Sequence, residues 1–429
     1  MRKGDFVSKV VLDMLSFKER RNLVERVISS PKGVFYRELY GVGDKDASLS
    51  ITSEEEWRTL PSFSKDELIP IHMLDLSFLS PRDIDHVRAS SGTSGRAPLF
   101  TARTHVRGLN YRLKYHDFKN PFLAFSVPLM PHWHELFLRE HNLNDNVISY
   151  DPRFPEPSIE LATIAGADGA SLFLYHVRTA GELMKKTGLN EKIRFLEITG
   201  EVCSMSMYEY IKETFPNATV VQSYGASEVE DVHIGIPCKP MDGTEPLAVY
   251  HQKASHYLEL TDPETGEWVE PVPGAEGDLL ITSYPGEPCA FPLIRYRIGD
   301  TVRLLENDCE HNTLTFTVLG RTEMDFLKVE GGILKSEEVA RALRLFSSRV
   351  TDDFELHKFE NKIEIYIDPK SKSFDYQRFA RELERAVRVG PFNTYRDGVD
   401  KGLYPPFVCK KIAPQDGLKK RKRIVIHNQ

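Results

Sequence analysis

Residues Ser90-Ser91-Gly92-Thr93-Ser94-Gly95 set four hydroxyls and two glycines side by side, and the cation Arg96 follows. Glycines let backbone approach phosphate oxygens, free amides and hydroxyls donate to them, and a guanidinium adds charge-assisted bonds. The segment therefore reads as a phosphate cradle, with a flexible Ser/Gly loop as the alternative. It is not the GxxxxGK[ST] pattern of P-loop nucleotide-binding proteins.

Five further segments carry polar groups in places where chemistry is plausible. Ile198-Thr199-Gly200-Glu201 ends an apolar run, and Ser223-Tyr224-Gly225-Ala226-Ser227-Glu228 ends the next. Arg295-Tyr296-Arg297-Ile298-Gly299-Asp300 precedes Gly320-Arg321, and Asp416 to Val425 holds the basic run Lys419-Lys420-Arg421-Lys422-Arg423. Taken singly, each is also readable as a tight turn or a solvated basic tail.

Taken in order, the six resemble the motifs of the adenylate-forming superfamily, the acyl-CoA synthetase/luciferase type. Leu60-Pro61-Ser62-Phe63-Ser64-Lys65-Asp66-Glu67-Leu68 resembles the stretch that leads its phenylacetate–CoA ligase branch. The resemblance covers residues 90 to 425 and implies ATP and Mg²⁺ as cofactors, with CoA as co-substrate. It places Ser90, Ser91, Gly92, Thr93, Ser94 and Gly95 on phosphate, Gly200 and Glu201 in an adenine-binding turn, and Tyr224 and Gly225 beside adenine. It further places Ser227 on phosphate, Glu228 on magnesium, Asp300 on both ribose hydroxyls, and Arg321 at the end of the large domain.

Those roles suit the chemistry. A carboxylate is a hard ligand for Mg²⁺ bridging phosphate oxygens, and two carboxylate oxygens can each accept one hydroxyl of a diol. Catalysis would fall to Lys420, Glu228 and Thr93, the lysine meeting charge that develops in the transition state. Lys419 and Lys422 are near rivals of Lys420. The sequence departs from the pattern at Ile298, where the family has threonine, and at the hinge, which Glu323 or Asp325 could supply.

The elements that must position these groups follow from periodicity. Residues 158 to 235 alternate helical stretches with short apolar runs: Ser171 to Thr187 as helix, Ile193 to Ile198 as strand, Met205 to Phe215 as helix, Thr219 to Gln222 as strand. This is the pattern of βαβ units around a parallel sheet. Residues 246 to 320 change to turn-punctuated antiparallel segments such as Gly277 to Thr282 and Thr313 to Leu319. Beyond them, Ser336 to Phe346 and Tyr376 to Val389 read as helices around a strand at Lys362 to Ile367. The expected fold is α/β: a large N-terminal domain of parallel sheets plus a β-rich subdomain over 1–321, and a small, mobile α+β domain over 322–429.

Composition bounds the rest. Apolar residues make up 41% of the 429 and charged residues 28%, which argues for a globular chain rather than a disordered one. A formal charge of −7 argues against a general nucleic-acid or anionic-membrane binder. Five scattered cysteines without a CxxC pair read as reduced thiols, and no secretory leader or membrane span is signalled, so a cytoplasmic enzyme is expected. His132 and His134 lie where the branch lines its acyl pocket and read as a structural cluster, with binding of a polar or aromatic acid as the alternative. Some relatives carry a Cys/His zinc site after the magnesium glutamate; His233, Cys238, His251 and His256 stand there, but their spacing does not match it.

The expected activity is ATP-dependent activation of a carboxylic acid, aromatic or similar, to an acyl-AMP, with transfer to CoA. The alternatives are transfer to an amine, a carrier protein or another acceptor, or a non-catalytic nucleotide binder. Partners would be small molecules, and a homodimer is compatible with the sequence.

Overall fold

The computed structural model describes residues 15–43, 48–84, 86–89, 99–103, 112, 114–117, 119–125, 147–229, 233–263, 265–284, 286, 289–307, 309, 313–321, 326–329, 332–359, 362–389, 393–413 and 424–426. The phosphate-loop residues Ser90 to Gly95, with Thr93 among them, lie outside these. So do His132, His134, Glu323, Asp325, Lys419, Lys420 and Lys422.

Five parallel strands form the first sheet, in the order Val147–Tyr150, Phe122–Phe125, Gly169–Phe173, Phe195–Thr199, Thr219–Gln222. Helices Pro155–Ala165, Val177–Thr187 and Met205–Thr214 connect and cover them. The central strands are apolar along their length because both faces are covered, and four of the five residues in each of Gly169–Phe173 and Phe195–Thr199 are buried. This corrects the expectation of one helix from Ser171 to Thr187. Ser171 to Phe173 belong to a strand, and the helix begins only at Val177 after a single 3₁₀ turn. A short, continuously apolar run does not reveal its period, which is why the strand was hidden there.

The chain leaves this sheet at Gln222 and enters an eight-stranded antiparallel sheet at Tyr224–Gly225. Its order is Trp268–Val269, His256–Thr261, Glu276–Ser283, Leu293–Leu305, Thr315–Arg321, Tyr250–Gln252, His233–Pro237, Tyr224–Gly225. The N-terminal helix Phe17–Ser29, opened by a Ser16/Glu19 capping box, buries Leu23, Val24, Val27 and Ile28 in the core of this sheet.

A third core gathers residues from Leu334 to Ile424 around a four-stranded sheet. Its order is Phe407–Lys411, Ile363–Pro369, Val350–Lys358, Ile424–Ile426, with an antiparallel centre and both outer pairings parallel. Helices Ser336–Arg344 and Tyr376–Ala386 pack on it. Its apolar cluster shares no residue with the two larger cores.

Candidate active site

Open α/β sheets present ligand sites at the carboxyl ends of their strands. Here the two edge-proximal strands run side by side, with Ile198 opposite Gln222, so both motifs that follow them emerge together. Gln222 Nε2 donates to the Glu201 carbonyl at 2.7 Å, and Ser223 N donates to the Ile198 carbonyl at 2.9 Å. The Gly200-Glu201 turn is thereby fastened to the Ser223-Tyr224 segment. Gly200 has φ 93°, and a Cβ there would stand 2.7 Å from the Phe173 ring, so the turn needs glycine on both counts.

Tyr224 is where the parallel sheet meets the antiparallel one. Its ring packs against Tyr250 and Phe316 at centroid distances of 5.6 and 5.9 Å, and its hydroxyl donates to Asp300 Oδ2 at 2.7 Å. Burial, reinforced by the Asp300 charge, pushes this hydroxyl well above the usual tyrosine range, so it stays a proton donor. Asp300 sits opposite Arg321 in the pairing of their strands, and Arg321 Nε reaches Asp300 Oδ1 at 2.9 Å. The side chain of Asp300 is 10% exposed and that of Arg321 49%, so a nearly buried carboxylate is paired with a half-exposed guanidinium. Each oxygen, engaged once, keeps acceptor capacity for a diol.

Glu228 lies on the same rim. Ser227 Oγ donates to its Oε2 at 3.3 Å, and Lys65 Nζ stands 4.0 Å from Oε1. Its side chain is 12% exposed. Lightly engaged by described residues, this carboxylate fits the hard-ligand requirement of Mg²⁺. Thr101 Oγ1 donates to the Ser227 carbonyl at 3.5 Å. Thr101 belongs to the strand Phe100–Arg103, which pairs with His86–Ala89 on the other side of the 90–98 segment. The flanks of the hydroxyl-rich loop are thus tied to the Ser227-Glu228 turn.

Lys65 was not singled out from sequence, although the Leu60 to Leu68 stretch that contains it was. The structure shows how that stretch is held. Phe63 adds a parallel bridge to Tyr296, with Arg297 N donating to the Phe63 carbonyl at 2.7 Å. Arg295, in the left-handed region at φ 53°, donates to the carbonyls of Arg58 and Leu60 and pairs with buried Glu259 at 3.3 Å. The segment that resembles a ribose motif therefore also seats Lys65 beside Glu228.

The cysteines and histidines after Glu228 divide differently from the sequence reading. His233 and His256 are engaged elsewhere, His256 Nε2 facing the His233 carbonyl at 2.8 Å and His233 Nε2 facing Arg112 at 3.5 Å. Cys238 and His251 instead meet Cys309, and the ligand atoms of all three lie within 4.8 Å of one another. His251 Nδ1 faces Thr315 Oγ1 at 3.2 Å, which turns Nε2 toward the Cys309 sulfur at 3.1 Å. Burial and the neighbouring Cys309 push the Cys238 thiol up to about 11. Two sulfurs and one oriented imidazole are a donor set for a soft divalent cation such as zinc. The spacing test failed because Cys309 comes from a different turn, between Leu293–Leu305 and Thr315–Arg321.

No family model matches the sequence, and no curated protein matches it. Solved structures do. A 2-hydroxyisobutyryl-CoA ligase in its postadenylation state with 2-HIB-AMP superposes with TM-score 0.68 at 14% identity, covering 97% of this chain and 91% of that one. An acyl acid amido synthetase, GH3.15, gives 0.59 at 15% identity over 92% and 87%. ATP-bound MatB from Rhodopseudomonas palustris gives 0.52 at 13% identity over 80% and 67%. The chain has the fold of the adenylate-forming enzymes.

Proposed function

We propose that this chain activates a carboxylic acid with ATP. A substrate carboxylate oxygen bonds to the α-phosphorus, the bond to pyrophosphate breaks, and an acyl-AMP remains. A thiol then attacks the acyl carbonyl and AMP departs; CoA is the first acceptor to consider, giving a phenylacetate–CoA ligase-like enzyme in the cytoplasm. The acid is proposed to be aromatic or similar.

The observation that carries this reading is Asp300, clamped by Tyr224 and Arg321 where the parallel strands open. An oriented carboxylate beside a buried aromatic ring suits a nucleoside, whose diol takes the carboxylate. Gly200 and Glu201 would border the base, with Gly225 and Ser227 following Tyr224 along the same rim. Glu228 would hold Mg²⁺, which when bound neutralises phosphate charge. The loop residues Ser90 to Gly95 and the mobile domain's Lys420 enter on their sequence, with the domain division at 321/322. Catalysis is then positioning plus charge neutralisation. A second reading has an amine as acceptor, since one matched structure is an acyl acid amido synthetase.

The test is pyrophosphate release from ATP and Mg²⁺ against a panel of aryl, indolyl, hydroxy and short aliphatic acids, with and without CoA. Release triggered by one acid and accelerated by CoA, with a thioester product, supports the ligase. Acid-dependent release indifferent to CoA supports another acceptor. Silence across the panel sinks both.

A further inference from the structure

The strand Val350–Lys358 alternates buried and half-buried positions, and Val350, Asp352, Phe354 and Leu356 share its buried face. Three of these are apolar and belong to the C-terminal core, whereas Asp352 is a carboxylate only 5% exposed. A charge so buried is costly unless hydrogen-bonded, so its partners must matter. Arg344 of its own body stands 4.0 Å from Oδ2, and the two backbone donors lie in the other body. Asp352 Oδ2 accepts from Met205 N and Oδ1 from Ser206 N, each at 3.1 Å.

Met205 and Ser206 are the first two residues of the ten-residue helix Met205–Thr214. Backbone amides in a helix's first turn have no partner within the helix, and negative charge is favoured there. The helix's own cap, Ser204, serves the third amide, Met207 N, at 3.3 Å. Asp352 thus completes from the C-terminal body a cap that the helix begins for itself. Two weaker contacts lie alongside: Arg344 pairs with Glu245 at 3.2 Å, and Lys335 with Glu276 at 3.1 Å.

We propose that Asp352 is a positioning residue, docking the C-terminal body onto the helix Met205–Thr214 in the arrangement used to form the acyl-AMP. This rests on the adenylation reading above. The docked helix starts directly after the Gly200-Glu201 turn, so the contact ties the C-terminal body to the proposed nucleotide rim. The same strand pairs at its other end with Ile424–Ile426, which directly follows the basic segment containing Lys420. Transfer of the acyl group, in which the small domain turns another face to the site, requires the contact to release.

The experiment compares wild type with Asp352→Ala, Asp352→Asn and, as an exposed anchor, Glu245→Ala. Hydrogen exchange is followed over residues 204–210 in the protein without nucleotide. Pyrophosphate release and thioester formation from supplied acyl-AMP are measured separately. The expected result for Asp352→Ala is faster exchange at Met205 and Ser206 and pyrophosphate release slowed roughly tenfold or more, as for loss of charge-assisted bonds. Transfer from supplied acyl-AMP is retained. Asp352→Asn falls between, since one oxygen still accepts, and Glu245→Ala shows a smaller effect of the same sign.

Unchanged exchange with unchanged release overturns the proposal. An equal fall in both half-reactions with a lowered melting temperature also overturns it, as simple structural damage. A wild type that releases no pyrophosphate would end the adenylation reading alone, because the exchange measurement reads the docking without any activity.

Discussion

Tyr224 and His176 show how burial sets what a single side chain can do. The Tyr224 ring is held by Tyr250 and Phe316 whether or not its hydroxyl is present, so Tyr224→Phe should fold normally. It removes one hydrogen bond from Asp300, worth about 1 kcal/mol, and leaves that carboxylate less firmly oriented. The expected outcome is a KM for ATP raised about fivefold with kcat little changed, read from steady-state pyrophosphate release. His176 is 2% exposed among the rings of Tyr150, Phe173 and Tyr175, and its Nδ1 has no hydrogen-bond partner among the described residues. Desolvation lowers its pKa from 6.5 to about 4. The folded chain therefore prefers the neutral ring, while the unfolded chain takes a proton below pH 6.5. Stability is full above pH 6.5, falls as pH drops toward 4, and then levels off, for a total of up to about 3 kcal/mol. Urea titrations at stepped pH, compared with His176→Phe, would show this limb flattened in the variant; an unaltered limb would assign it to other groups.

At the scale of elements, polar groups buried inside the sheets lock strands to one another. Glu197, in the middle of the parallel sheet, takes two bonds from Arg112 at 3.0 and 2.8 Å and one from Ser171 at 2.7 Å. On the antiparallel sheet, buried His251 meets half-buried Cys238 and exposed Cys309. The trio joins the segment after His233–Pro237, the strand Tyr250–Gln252 and the turn before Thr315–Arg321. The last of these strands ends in Arg321, which pairs with Asp300, so one strand links the trio to that carboxylate. Protein purified with zinc supplied and no chelator is expected to carry about one equivalent of metal, lost in Cys309→Ser. Chelation should lower the melting temperature and weaken nucleotide binding together. A metal-free protein whose Cys238 and Cys309 are instead joined as a disulfide would refute zinc, and thiol titration distinguishes the two.

Across the whole molecule, what could be read from sequence was what repeats locally. Strands such as Thr219–Gln222 and helices such as Met205–Thr214 declare themselves through periodicity, and the motifs stand at their ends. What could not be read was anything assembled from distant turns. Lys65 reaches Glu228 only because Phe63 bridges to Tyr296, Cys309 completes a trio begun at Cys238, and Asp352 caps a helix that starts at Met205. Such pairings leave no spacing in the chain, only an odd residue type at a buried position, as Asp352 does on its strand. The last prediction concerns the other charge the small body would deliver. Lys420 precedes Ile424–Ile426, and that strand is fixed by its parallel pairing from Leu356 to Lys358. On the adenylation reading, a lysine just before this strand would meet the charge that develops when pyrophosphate leaves. Lys420→Ala should therefore lose most pyrophosphate release, by roughly a hundredfold or more, while converting supplied acyl-AMP and CoA to thioester at near the wild-type rate. Full release in that variant would hand the role to Lys419 or Lys422, whose alanine variants are to be measured beside it.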